Sequence, residues 1–156
     1  MTLTTWEGPL PLQPQPGQAV VRLPSIDELV EAWPKVAPLL QRATVRTGCY
    51  EPIDILRLAM VGQVGVWFCE VEEELAAVLV SEVKQYPRRR ILEMLFAGGS
   101  KLRSWIAPAV AALDEHAKQM GCSHVTTIGR PGWTRAWRAE VTGDVVLVRA
   151  IGGRNV

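Results

Sequence analysis

The spacing of apolar residues changes along the chain, and each change predicts a different secondary structure. A short apolar run at residues 19–23 predicts a first strand. Over residues 25–46 apolar positions recur every three to four residues, which predicts a helix in two pieces, the second starting at Pro34. Residues 52–62 repeat that spacing as a short helix. From Gly65 the period falls to two, which is typical of strands.

The second half of the chain continues with strands and then alternates strand with helix. Residues 66–69, 75–83 and 90–97 form three predicted strands on short polar turns, hence an antiparallel meander. An apolar stripe follows over a predicted helix, then a strand at residues 123–128 that lies parallel to its predecessor if the crossover is right-handed. A short helix and a last strand at residues 144–151 complete the pattern.

Polar and special residues mark the ends of these helices. Ser25 and Glu28 have the three-residue spacing of a capping box, in which each side chain binds the other residue's backbone amide. Ser104 is the predicted N-cap of the long helix after the glycines, with Pro108 in its first turn. Gly121 is expected just past the end of that helix, where a left-handed residue commonly stops it.

The predicted order is β-αα-βββ-α-β-α-β, which defines an α+β fold. Its mixed sheet is an antiparallel meander followed by a βαβ crossover. At 156 residues the chain is long enough for one domain with a sizeable core, which we place at residues 20–151. Residues 1–19 carry four prolines and little apolar periodicity, so they are predicted to form an extended arm. Residues 152–156 are a tail.

Composition narrows the class of protein. Charged residues make up 21% of the chain and the formal net charge is +1, so nucleic acid is not an expected partner. No apolar run approaches the length of a membrane span, and the first residues lack the pattern of a signal peptide. Three widely spaced cysteines do not suggest a disulfide framework or a metal site. A cytoplasmic protein without membrane partners is expected.

The stretch around residues 91–103 is where the chain is most suited to hold a ligand. An apolar strand ends in Gly98-Gly99-Ser100-Lys101, and a helix follows directly. Strand, glycine turn and helix start in that order can aim backbone N–H groups at an anion. The simpler alternative is that the two glycines only terminate the strand.

The order of elements and several short stretches together resemble a known family. This arrangement is similar to that of the GNAT superfamily of acyl-CoA-dependent N-acyltransferases, and in particular to small GNAT-like proteins of tailed phages. The resemblance covers residues 60–150, and residues 20–60 more loosely. It is carried by the stretches Tyr86-Pro87-Arg88, Phe96-Ala97-Gly98-Gly99, Met120-Gly121-Cys122 and Ile128-Gly129-Arg130-Pro131-Gly132-Trp133.

The resemblance implies that acetyl-CoA lies along the fourth strand and the loop after it. In the superfamily this loop holds the pyrophosphate with backbone amides and a helix dipole, in a pattern written Arg/Gln-x-x-Gly-x-Gly/Ala. Here the second half of that pattern is absent, which raises the alternative that CoA binding is lost. The cofactor-binding residues implied are Leu95, Ala97, Gly98, Gly99, Ser100, Lys101 and Arg103.

The resemblance also implies where an acid and a base belong. Many members carry a tyrosine on the last helix to protonate the leaving thiolate, and that position falls on Trp137 here. Indole N–H is not a usable acid, so Trp137 and Trp133, one turn apart, are expected in a core or oligomer contact. Glu93 occupies a position of the general base, with Glu82 on the preceding strand as a rival.

Two hypotheses of different class remain. The first is an N-acetyltransferase of phage type that moves acetyl from acetyl-CoA to an unknown amine, in the host cytoplasm if phage-encoded. The second is a catalytically inactive phage structural, virion-associated or accessory protein with the same fold. That protein would act as a homo-oligomer or on a virion partner through residues 1–19, Trp133 and Trp137. Retained CoA binding distinguishes the two.

Overall fold

A computed structural model describes residues 19–129, 133–137, 147 and 149–151 of the chain. Residues 1–18 of the predicted arm, the tail at residues 152–156 and half of the predicted last strand (residues 144–146 and 148) lie outside the described residues. The division into arm, single domain and tail therefore stays a prediction.

The described residues form five strands and four helices in the predicted order, up to the last strand. Their bounds differ from the predicted ones by a few residues at most, apart from the two helices treated below. The elements are β1 Ala19–Arg22, α1 Ile26–Thr44, α2 Pro52–Met60, β2 Gly65–Val71, β3 Glu74–Gln85, β4 Arg90–Gly99, α3 Leu102–Gln119, β5 His124–Thr127 and α4 Trp133–Trp137.

The strands make one mixed sheet in the order β1-β2-β3-β4-β5. The first four pair antiparallel with their neighbours, and Glu72 and Glu73 form the two-residue turn between β2 and β3 with positive φ angles of 52° and 67°. β4 and β5 pair in parallel, with α3 as the crossover between them. The predicted α+β fold, meander first and βαβ crossover second, is confirmed.

One face of the sheet is covered by α3, and we call it the α3 face. α3 buries the side of the helix formed by Trp105, Ala109, Leu113 and Ala117, which recur at the spacing predicted for its apolar stripe. The sheet contributes alternate residues, as the two-residue period of a strand requires. Those in the same cluster include Trp67, Cys69, Leu79, Leu92 and Met94.

The opposite face is covered by α1 and α2, and we call it the α1 face. Here α1 and α2 bury Leu29, Val36, Leu40 and Ile55 against the other alternate set of strand residues. That set comprises Val66, Phe68, Val78, Val80 and Phe96. The sheet is therefore covered on both faces, which leaves its edges and strand ends as the places where a ligand can reach the backbone.

α1 departs from the sequence-based prediction in its middle. Its capping box is confirmed, since the Ser25 hydroxyl accepts from the Glu28 amide and the Glu28 carboxylate accepts from the Ser25 amide, both at 3.2 Å. The predicted division at Pro34 is wrong, because one continuous helix runs through it. Burial of Val36 and Leu40, each 0% exposed, offsets the amide hydrogen bond that the proline removes.

α3 begins earlier than predicted. Its N-cap is Lys101, held in the left-handed region at φ 58° and ψ 40°, and the helix proper starts at Leu102. Ser104 is therefore not the N-cap, since its amide already donates to the Lys101 carbonyl at 2.9 Å. Pro108 lies inside the helix instead of in its first turn. The predicted end is confirmed, because Gly121 follows the helix with φ +72°.

Candidate functional site

The sheet opens between β4 and β5, halfway along β4. The two strands pair from Ile91 with His124 to Met94 with Thr127, and β5 ends there. β4 continues for five more residues to Gly99. An extra residue in β4, Leu95, lies opposite the junction of Val80 and Ser81 in β3 and forms a β-bulge that bends the strand. The bend and the shortness of β5 leave a gap in the sheet.

This gap forms a cleft of about 460 Å³ that draws on three parts of the chain. The C-terminal half of β4 forms one wall and the end of β5 with the residues after it forms the other. The end of α1 covers the cleft from the α1 face. Its lining residues are Arg42, Ala43, Arg46, Thr47, Met94, Leu95, Phe96, Ala97, Gly98, Gly99, Thr127, Ile128 and Gly129.

The structure divides the predicted cofactor-binding residues into two groups. Leu95, Ala97, Gly98 and Gly99 line the cleft. Ser100, Lys101 and Arg103 are not among its lining residues, and they lie at the start of α3 just beyond it. The strand part of the prediction thus coincides with the cleft, while the loop part lies at its end. The binding role of all seven stays a prediction.

Packing requires both glycines, whatever they bind. A Cβ added to Gly98 would lie 2.1 Å from the Leu39 carbonyl oxygen of α1. A Cβ added to Gly99, which has φ +141°, would lie 2.3 Å from the Ala76 carbonyl oxygen of β3. A packing role therefore accounts for both residues, since each lets another backbone approach closely.

The loop between β4 and α3 has one of its amides already engaged. The Ser100 N–H donates to the Ala76 carbonyl at 2.9 Å, and the Trp105 indole N–H donates to the Ser100 carbonyl at 2.8 Å. These bonds fix the loop on β3 and on α3. In the first turn of α3 the Ser104 amide donates to the Lys101 carbonyl at 2.9 Å. The amides before it in the helix have no intrahelical acceptor, as at any helix start, so they are the donors that an anion could use.

The two candidate bases lie side by side on the α1 face. Glu82 of β3 and Glu93 of β4 are direct cross-strand partners. Lys84 forms an ion pair with one of them, since its ammonium lies 2.8 Å from the Glu93 carboxylate. This contact raises the pKa of Lys84. The Glu93 side chain is 18% exposed. Glu93 is therefore held in a half-buried ion pair with Lys84, and the Glu82 carboxylate lies beside that pair.

Neither carboxylate is among the lining residues of the cleft. Glu93 precedes Met94, the first β4 residue that lines it. Glu82 lines a different cavity of about 630 Å³ at the other end of β4, where Gln63 donates to it at 3.5 Å. A substrate amine would have to lie at the closed end of the cleft, next to Met94, to come near Glu93.

Trp137 takes no part in the cleft. Its side chain is 8% exposed and belongs to the cluster on the α3 face, where α4 packs on α3. This position is consistent with the core contact expected from the sequence. The side chain of Trp133 lies outside the described residues. A partner contact through either tryptophan stays a prediction.

Three residues near the cleft were not anticipated. Arg42, in the last turn of α1, and Arg46, two residues past its end, line it directly. Tyr50 packs edge-on against the cleft residue Phe96 with ring centroids 5.5 Å apart. Polar residues on a helix are ordinarily solvated. These two arginines differ from the others because α1 ends over the cleft. In the sequence, the four-residue spacing of the two cations was the one available signal.

The described part of the chain contains neither a metal-binding cluster nor a membrane-spanning helix. No group of three or more histidine, cysteine or acidic side chains there could hold a metal ion. None of the helices found among those residues is both long enough and apolar enough to cross a membrane.

Comparison with known proteins identifies the fold. No protein-family model and no curated protein sequence matches the chain. Solved structures do match. The ribosomal-protein-alanine N-acetyltransferase of Brucella melitensis biovar Abortus 2308 superposes with a TM-score of 0.60 at 13% identity, over 86% of this chain and 99% of that one.

Two further structures agree. The aminoglycoside N-acetyltransferase AAC(6')-Iy in complex with CoA has a TM-score of 0.63 at 11% identity, covering 90% of this chain and 99% of that one. Glucosamine-6-phosphate N-acetyltransferase from Arabidopsis thaliana has a TM-score of 0.56 at 12% identity, covering 86% and 99%. The chain has the GNAT fold, as its sequence predicts. At these identities the likeness extends to the fold alone.

Proposed function

We propose that this protein binds an acyl-CoA, acetyl-CoA in the first instance, in the cleft between β4 and β5 and transfers the acyl group to an amine. The observation that carries the proposal is the opening of the sheet after the pair Met94–Thr127. Support also comes from the structural neighbours, which are N-acetyltransferases, one of them in complex with CoA.

The open half of β4 suits an extended ligand that contains amide groups. Among the described residues, β4 has no strand partner on its β5 side from Leu95 to Gly99. Backbone N–H and C=O groups left at such an edge pair readily with another extended chain. The pantetheine part of CoA is extended and carries two amides, so it can add to β4 as a short strand would.

The transfer step itself makes modest demands on the protein. The amine nitrogen attacks the thioester carbonyl carbon, the C–S bond breaks, and CoA leaves as a thiolate while the amine loses a proton. An ordinary thiol has a pKa of about 8.5, so the thiolate can leave without a strong acid. Glu93, with Glu82 as the alternative, is the proposed acceptor of the amine proton, directly or through a water molecule.

The second proposal is a GNAT-fold protein without catalysis, of the phage structural or accessory type. Packing contacts explain Gly98 and Gly99, the Ser100 amide is engaged by β3, and Trp137 is buried where many family members carry an acidic tyrosine. On this proposal the chain works through oligomer or partner contacts of residues 1–19, Trp133 and Trp137.

Calorimetric titration with CoA and acetyl-CoA separates the two proposals. The variant tested should change the cleft without disturbing the packing. Substitutions of Gly98 and Gly99 are unsuitable, because an added Cβ would meet a neighbouring backbone. Ile128 lines the cleft and is 75% exposed, so Ile128→Glu adds a negative charge there without opening the core. Val61 is equally exposed at 75% and lies outside the cleft lining, so Val61→Glu is the matched control.

We expect the wild-type protein to bind CoA at micromolar concentration. Repulsion between the new carboxylate and the CoA phosphates should weaken binding roughly tenfold in Ile128→Glu, and Val61→Glu should bind as the wild type does. A wild-type protein that binds neither ligand at millimolar concentration would contradict the acyltransferase proposal and leave the second one standing.

A further inference from the structure

The end of α1 brings two positive charges over the open half of β4. α1 starts beside β1, where Arg22 of β1 pairs with Glu28 at 2.8 Å, and it packs along the sheet against β3 and β4. Its Leu39 carbonyl meets Gly98 so closely that no side chain fits there. Arg42, in the last turn of α1, and Arg46, just past the end of the helix, then line the cleft.

The charged residues described along the cleft are all positive. Its described lining residues include these two arginines and no carboxylate. The ion pairs found among the described residues occupy Arg22, Arg57 and Lys84, and neither Arg42 nor Arg46 takes part in one. The two guanidinium groups carry the same charge, and like charges that line one cleft repel each other. The dipole of a helix favours cations near its C-terminus, but that preference alone does not bring both arginines to the same cleft.

The opposite side of the cleft is a weak site for an anion by comparison. The Ser100 amide is held by Ala76, and the left-handed N-cap Lys101 has no side-chain cap hydrogen bond. Gly98 and Gly99 are fixed between α1 and β3. An anionic group in this cleft would therefore find fewer backbone donors at the loop and two guanidinium groups on the α1 face.

We propose that Arg42 and Arg46 together bind an anionic group of the ligand in the cleft, a phosphate of CoA or an anionic group of the acceptor. The inference rests on the proposed function for the nature of the ligand. Guanidinium groups match phosphate and carboxylate oxygens with paired N–H donors, and these charge-assisted hydrogen bonds are stronger than neutral ones. The arginines thus supply, from α1, the positive charge that the loop after β4 provides incompletely.

The test compares Arg42→Gln/Arg46→Gln with a control of the same charge change. Arg88→Gln/Arg89→Gln also removes two cations, from the exposed turn between β3 and β4 and outside the cleft lining. Each protein is titrated with CoA and with pantetheine, which lacks the phosphates. Inorganic phosphate is then titrated into each protein saturated with CoA. Circular dichroism melts of the two double variants verify that both fold.

If the arginines bind a phosphate of CoA, Arg42→Gln/Arg46→Gln should weaken CoA binding about 10- to 100-fold and leave pantetheine binding unchanged. If the arginines bind an anionic group of the acceptor, the variant should bind CoA as the wild type does. Its CoA complex should then no longer bind the inorganic phosphate that the wild-type CoA complex binds. In both cases the control should match the wild type. Equal CoA binding by both double variants, with no difference in phosphate binding, overturns the inference. Absence of wild-type binding to CoA and pantetheine would instead contradict the proposed function.

Discussion

The two halves of β4 differ in how they pair with their neighbours. From Ile91 to Met94 the strand is paired on both sides, with β3 and with β5. From Phe96 to Gly99 it is paired with β3, and no strand among the described residues covers the other side of residues 95–99. The bulge at Leu95 separates the halves. The first half completes the sheet, and the second leaves backbone groups within reach of a ligand.

The difference shows that one strand can serve stability and function in consecutive segments. The closed half contributes Leu92 and Met94, 1% and 3% exposed, to the core on the α3 face. The open half lines the cleft, yet it is held rigidly, because Gly98 meets α1 and Gly99 meets β3. A binding surface on such a backbone is formed in advance and loses little conformational entropy when a ligand adds to it.

The largest expected effect separates two leucines three positions apart on β4. Leu92→Ala removes a buried side chain from the closed half and should lower the free energy of unfolding by about 3–5 kcal/mol. Leu95→Ala, at the half-buried bulge beside the cleft, should lower it by about 1 kcal/mol. Urea unfolding curves of the two variants measure both values. Equal losses would mean that the two halves are packed alike and would remove the basis of the comparison.

A smaller effect tests whether packing holds the open half in place. Gly98→Ala puts a methyl group on the Leu39 carbonyl of α1 and should cost about 2–3 kcal/mol of unfolding free energy through overpacking. Gly121→Ala is the control, since Gly121 has φ +72° with nothing within 4 Å of the added Cβ, and its cost should be about 1 kcal/mol from the left-handed backbone alone. Chemical denaturation compares them. If Gly98→Ala costs no more than its control, α1 yields and the open half is not fixed by this contact.

The sequence predicts the fold well because local signals and apolar periods agree. The capping box at Ser25 and Glu28, the stop at Gly121 and the change of period at Gly65 each depend on a few neighbouring residues, and the structure contains all three features. The errors arise where tertiary contacts decide. Pro34 ordinarily interrupts a helix, but burial against the sheet keeps α1 continuous. Ser104 is a good N-cap residue by type, yet the loop places Lys101 there.

The site is less accessible to sequence reasoning than the fold. Leu95, Ala97, Gly98 and Gly99 were predicted through a resemblance and do line the cleft. Arg42 and Arg46 were missed because a helix surface gives no sign of which sheet edge lies beneath it. The contact of Glu93 with Lys84 was missed for a similar reason, since it depends on the register of β3 against β4.

The most direct test of the central claim is a titration of ¹⁵N-labelled protein with CoA, followed by the amide chemical shifts of β4. Binding of CoA along the open half should concentrate the shifts in residues 94–99 of β4 and in residues 127–129 across the cleft, while residues 90–93 of the closed half stay nearly unchanged. Shifts of equal size in both halves, or none at millimolar CoA, would contradict it.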